Sequence, residues 1–113
     1  METTLEVRFY RAASGAEPVR SWLREAVSAE ARRTIGGDMK TVQLGWPLGM
    51  PLVRKMDHRL WEVRSTLPEG IARIFFTIVK SDMVLLHGIV KKSDKTPKSD
   101  LETAKRRRDE VMQ

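Results

Sequence analysis

The residue pattern predicts a single α+β domain, with two amino-terminal helices and a carboxy-terminal helix packed on an antiparallel sheet in the order β-α-α-β-β-β-α. Three observations carry this expectation. Apolar positions between Val19 and Val42 recur at helical spacing, whereas between Leu60 and Lys92 they alternate or form short blocks split by turn residues. The chain of 113 residues suits one ordinary domain and is too short for two, so residues 1–113 are read as one unit.

Taken in order, Leu5-Glu6-Val7-Arg8-Phe9 alternates apolar and charged residues, the period of a half-buried strand. Ser14-Gly15-Ala16-Glu17-Pro18 then interrupts it. Pro18 suits a first helical position, and Ser14 with Glu17 has the spacing of a capping box. Val19, Trp22, Leu23, Ala26 and Val27 form one helical stripe. Ser28 is placed to cap a second helix whose stripe is Ala31, Ile35, Met39 and Val42. Gly36-Gly37 lies within it and costs roughly 1 kcal/mol per glycine relative to alanine, so a weak point is expected there. The Gly/Pro-rich segment 44–51 reads as a connector. Strands are expected over 60–65, 71–80 and 83–92, with turns at Pro68-Glu69-Gly70 and Ser81-Asp82. Lys95-Thr96-Pro97 ends the sheet. Ser99 or Asp100 then caps a last helix with Leu101, Ala104 and Met112 on its apolar side. Trp22 reads as core, Trp61 as core in preference to a base-stacking platform, and His58 as surface.

Composition narrows the function classes. There is no cysteine, which excludes disulfides, thiolate nucleophiles and cysteine-based zinc sites, and two histidines do not make a His-rich centre. No cofactor or metal is expected. The longest purely apolar run, 83–86, is far too short to span a bilayer, and residues 1–4 lack the apolar core of a secretory signal. A cytoplasmic protein without membrane association is the expectation. The net charge of +6 and a pI near 10.1 favour a polyanionic partner.

The strand charges sharpen this. A two-residue loop at Ser81-Asp82 pairs Lys80 with Met83, sets Arg73 opposite Val90 with Lys92 one diagonal step away, and sends His87 to the other face. Arg64 joins Arg73 if the preceding hairpin has the matching register. Cations gathered on one face repel unless an anion sits between them. The run Lys105-Arg106-Arg107-Arg108 reads by itself as a solvated helix face.

The blocks Leu60-Trp61-Glu62-Val63-Arg64, Ala72-Arg73-Ile74-Phe75-Phe76, Leu85-Leu86-His87-Gly88-Ile89-Val90-Lys91-Lys92 and Lys95-Thr96-Pro97 resemble, in order and spacing, the RelE/HigB superfamily of type II toxins. The branch they resemble is the phage-derived Gp49-like one. The late Ala104 and Arg107, and more weakly Pro18-Val19 with Trp22-Leu23, extend the resemblance over nearly the whole chain. It implies a RelE-like domain and an endoribonuclease that cleaves mRNA, usually on the ribosome. It also implies a cognate antitoxin with a helix-turn-helix, whose complex with the toxin binds operator DNA. Carried over by position, the family's sheet-face cations are Arg64, Arg73 and Lys92, with Lys91 and Lys95 beside them. This chain departs from relatives that place a tyrosine or histidine near the carboxy terminus, since neither follows His87 and Tyr10 is the sole tyrosine.

RNA cleavage by the substrate's own 2′-hydroxyl requires removal of that proton, stabilisation of charge on the phosphoryl oxygens and protonation of the leaving 5′-oxygen. Arginine suits the second task because its fork pairs two phosphate oxygens. The catalytic expectation therefore assigns Arg73 to transition-state charge, Arg64 to a second contact or the acid, and Lys92 or Lys91 to the base, with His87 as alternative base. Lys55, Lys95, Lys98, Lys105, Arg106, Arg107 and Arg108 are expected to hold the RNA backbone without reading sequence. A basic nucleic-acid-binding module or co-repressor without catalysis is the alternative that the same cations allow.

Overall fold

The computed structural model describes residues 4–93 and 95–113, so the part of the leader expectation that rests on residues 1–3 lies outside the described residues. The elements are β1 (Glu6–Phe9), α1 (Pro18–Glu25), α2 (Ala29–Gly45), β2 (Val53–Asp57), β3 (Leu60–Leu67), β4 (Gly70–Val79), β5 (Asp82–Lys91) and α3 (Lys98–Val111). They form one five-stranded sheet in the order β1-β5-β4-β3-β2. The α+β class is as expected. The sheet is mixed rather than antiparallel, because β1 runs parallel to β5 while the other neighbours are antiparallel. An additional strand, β2, follows the Gly/Pro segment. Among the described residues no helix is long and apolar enough to cross a membrane.

The helices lie on opposite faces of this sheet. Val19, Ile35, Met39 and Val42 from α1 and α2 meet Ile74, Phe76 and Leu85 on one face. Ala104 and Leu101 of α3 meet Leu60, Phe75, Val84 and Leu86 on the other. Trp61 packs edge-on against Trp46 at 5.0 Å and stacks with Phe76, so it belongs to the core as expected. Helix α2 runs unbroken through Gly36-Gly37, held by the buried stripe on its other side. Ser28 caps it by accepting from the Ala31 amide.

Three local expectations are corrected. The Ser14/Glu17 capping box does not form, because Pro18 opens α1 and has no N–H to satisfy, and the Ser14 hydroxyl accepts from the nearby Ala16 amide instead. Neither Ser99 nor Asp100 caps α3, which begins at Lys98 after Pro97, and Asp100 is engaged elsewhere. The β4–β5 loop is Lys80-Ser81 rather than Ser81-Asp82, with Val79 opposite Asp82 and Lys80 at φ +57°.

Two glycines are required by geometry. Gly70 has φ +148°, and a Cβ there would lie 2.9 Å from the Lys91 carbonyl oxygen. At Gly88 a Cβ would meet Trp22 ring carbons at 2.6 Å. The indole of α1 thus seats directly on the β5 backbone. Gly88→Ala is expected to lower stability by about 1–3 kcal/mol through overpacking, measured as a shift of the urea midpoint. An unchanged midpoint would mean that Trp22 swings away without cost.

Candidate functional site

The β4–β5 register decides which charges meet. Near the loop Phe76 pairs with Leu85, but beyond it Phe75 pairs with His87, so Leu86 is an extra residue in β5. Such a bulge turns every later side chain to the opposite face. His87 and Lys91 therefore share the face of Arg73, and Arg73 stands opposite Ile89. The expectation of Arg73 opposite Val90, of Lys92 sharing its face and of His87 lying on the other face is overturned by that one residue and by the shifted loop. Lys92 follows the end of β5. Arg64 pairs directly with Arg73, the register that the sequence left open.

On β2 and β3 the same face carries Arg54 opposite Glu62. The four strands β2 to β5 thus present Arg54, Arg64, Arg73 and Lys91 in a row across the sheet. The anion among them belongs to the protein. Glu62 Oε1 accepts from the Arg73 guanidinium at 3.0 Å and lies 3.8 Å from Arg64 Nε, and both Glu62 and Arg73 are 0% exposed. Arg73 donates a further bond, of 2.8 Å, to the Ser93 carbonyl, and the Thr96 hydroxyl donates to Glu62 Oε2 at 3.5 Å. The connector between β5 and α3 is thereby strapped over the buried pair. Arg64, with a side chain 17% exposed, is the arginine of the facing pair that reaches solvent. Exposed Arg54 and Lys95 line a neighbouring cleft of 410 Å³ with Met56, Thr96 and Leu101.

His87 is brought to this side of the sheet but not into the row. Its ring stacks on Phe75, Nε2 lies 2.6 Å from Asp100 Oδ1, and Nδ1 lies 3.5 Å from an Arg107 nitrogen. Both ring nitrogens thus have partners within the protein. Tyr10 is likewise committed. Its hydroxyl donates to Glu110 at 2.6 Å, and that bond, followed by burial, pushes the phenol above its usual range.

The basic run of α3 divides by helical phase. Arg106 is exposed and Lys105 pairs with Glu102 at 3.4 Å. Arg107 donates to the Leu86 carbonyl and stacks on Tyr10. Arg108 is buried, binding Asp57 at 2.6 Å, the His58 carbonyl at 2.7 Å and Asp109 at 2.9 Å. The reading of the run as one solvated face is thus corrected, since two of its arginines tie α3 to the sheet. Lys55 stands on the opposite face, over the Trp61 ring at 5.9 Å. Lys98 is exposed at the start of α3. The bond from Arg108 holds the Asp57 carboxyl below the ordinary range, outweighing its partial burial. A depressed folded-state value contributes stability that is present above the unfolded value, near pH 4, and is lost as pH falls through the folded one. Asp57→Asn is expected to lower the melting temperature at neutral pH, with the gap to wild type narrowing below about pH 4. A gap that stays constant throughout the acid range would detach Asp57 from α3 docking.

Arg54, Glu62 and Asp100 escaped the sequence reading. Glu62 and Arg64 are two apart on a strand, a same-face spacing that was available, whereas Arg54 had no face to share until β2 was known. Among known families, the model described as phage-derived protein Gp49-like (DUF891) matches residues 21–109, from within α1 to near the end of α3. No curated protein matches the chain closely enough to stand as a relative. The match takes in every strand that builds the cation row and the whole basic run, and the three helices on a five-stranded mixed sheet agree with a RelE-like fold. The chain belongs to the Gp49-like family of phage-derived proteins, a family associated with RelE/HigB-like toxins.

Proposed function

We propose that this toxin-like protein is the toxin of a type II toxin–antitoxin system, an endoribonuclease that cleaves mRNA on the ribosome in the cytoplasm and thereby halts translation. The observation that carries this reading is the row Arg54, Arg64, Arg73 and Lys91 on one sheet face, organised around buried Glu62. The 2′-oxygen of the substrate forms a bond to the adjacent phosphorus while the bond to the 5′-oxygen breaks, leaving a 2′,3′-cyclic phosphate and a 5′-hydroxyl. Arg64 supports the charge on the phosphoryl oxygens. Arg73, enclosed and paired, acts through Glu62 by fixing where Arg64 sits, which moves it from the direct contact expected from sequence to a positioning role. Lys91, on the same face, takes the 2′-proton, and a solvent water supplies the proton for the leaving oxygen, a role that the sequence expectation gave to Arg64. Arg54, Lys95 and Lys98 grip the backbone. A helix-turn-helix antitoxin neutralises the protein, and the pair binds operator DNA.

One observation favours a second reading, a nucleic-acid binder without catalysis: both side chains best suited to proton transfer, His87 and Tyr10, are held by other partners. Expression separates the two. Induction of the toxin is expected to arrest growth, with relief by the adjacent antitoxin gene, and the purified protein with ribosomes is expected to produce cut mRNA ending in cyclic phosphate. Normal growth and intact mRNA in the presence of soluble protein would favour the binder.

A further inference from the structure

We infer that the cleft beside the cation row is a nucleobase subsite, in which one base of an RNA strand inserts between Met56 and Leu101 while its phosphate rests on Arg54 and Lys95. The inference deepens the RNA-directed reading above and rests on it. The floor and the rim of the cleft differ in character. Met56 comes from the irregular end of β2 and Leu101 from the first turns of α3, two apolar side chains facing one hollow, whereas Arg54 and Lys95 are exposed cations at its edge. An apolar slot bordered by positive charge complements a flat heterocycle joined to a phosphate. A peptide carboxylate or free phosphate would leave the apolar floor unused. At 410 Å³ the hollow falls in the size range of small-ligand sites. Proteins read single-stranded RNA by splaying a base out of the strand, packing its faces and meeting its edge with a polar group. The thioether of methionine is a soft, polarisable wall for such a face.

The polar group is Thr96. Its hydroxyl proton is directed at Glu62 Oε2, 3.5 Å away, so its lone pairs remain for the base edge. The same Glu62 binds Arg73 and approaches Arg64. A base in the cleft is thus linked, through Thr96 and Glu62, to the arginine proposed to meet the scissile phosphate. The hollow thus touches the buried pair through the Thr96 side chain, and a second hollow on the surface, lined by Arg64, touches it through that arginine.

The test uses the whole protein with its methionine methyl groups labelled with carbon-13, titrated separately with the four nucleoside 5′-monophosphates, ribose 5-phosphate and inorganic phosphate. The nucleotides are expected to move the Met56 methyl signal through the ring current of the base, whereas ribose 5-phosphate and phosphate leave it in place. Met56→Ala is expected to weaken nucleotide binding about tenfold, the lower end for lost apolar pocket contacts, without altering the affinity for ribose 5-phosphate. Thr96→Val is expected to reduce the spread of affinities among the four nucleotides. Equal binding of nucleotides and ribose 5-phosphate with an unmoved Met56 methyl would overturn the subsite, and so would no binding at millimolar concentration. Failure here is distinct from failure of the nuclease reading. A protein that cuts RNA with Met56 unmoved retains the nuclease and loses the subsite, while one that binds nucleotides at Met56 without cutting RNA retains the subsite alone.

Discussion

Arg73→Ala is expected to cost about 3–5 kcal/mol of folding stability, the largest effect of any single substitution considered in this protein. The reason lies in what remains. Glu62 would stay fully enclosed with its 3.0 Å partner gone, left with the Thr96 hydroxyl at 3.5 Å and the more distant cation of Arg64 at 3.8 Å. The Ser93 carbonyl would also lose its donor, loosening the connector into α3. Removing both charges is a different perturbation. An apolar pair of similar volume, Glu62→Leu with Arg73→Met, is expected to regain most of the loss, because two desolvation penalties disappear together. Chemical denaturation of the two single variants and the double variant measures the coupling directly. If Arg73→Ala unfolds at the wild-type midpoint, the buried pair is not holding the sheet face together. The consequence for function is practical: lost activity in Arg73→Ala is uninterpretable without its fold, and Arg73→Lys is the more informative probe of positioning.

Arg64→Ala is expected to leave the fold nearly intact and to lower the cleavage rate at saturating substrate by about 10²–10³. Its side chain is partly exposed, and its removal leaves the enclosed charges of Glu62 and Arg73 still paired with each other at 3.0 Å. The contribution assigned to Arg64 belongs to the transition state, where charge builds on the phosphoryl oxygens, and therefore falls on kcat more than on KM. Arg54→Ala is the contrast. Loss of one backbone contact should weaken RNA binding and reduce the log-log salt slope by about 0.7, the value for a single strand. Undiminished cleavage by folded Arg64→Ala would take it out of the reaction.

Much of the architecture was legible in the residues themselves. The stripe Val19–Leu23, the stripe Ala31–Val42, the Ser28 cap, the turn at Pro68-Glu69-Gly70 and the assignment of Trp61 to the core all rest on local periodicity and turn chemistry and are found, although α1 ends at Glu25 and leaves Ala26 exposed beyond it. The direct opposition of Arg64 and Arg73 was left open by the residues, and the tight β3–β4 loop decides it. Tertiary structure decided the remainder. A single extra residue at Leu86 moved His87 and Lys91 to the face of Arg73, and alternation cannot show where a bulge falls because the inserted residue obeys no period. The parallel pairing of β1 with β5 joins segments at opposite ends of the chain, for which no turn signal exists. Arg107 and Arg108 left the basic run because their partners, the Leu86 carbonyl and Asp57, are distant in sequence and come within reach only when α3 docks. Glu62 became the anion of the site for the same reason: a carboxylate on a strand carries no mark of what will stand opposite until the neighbouring strands have closed around it.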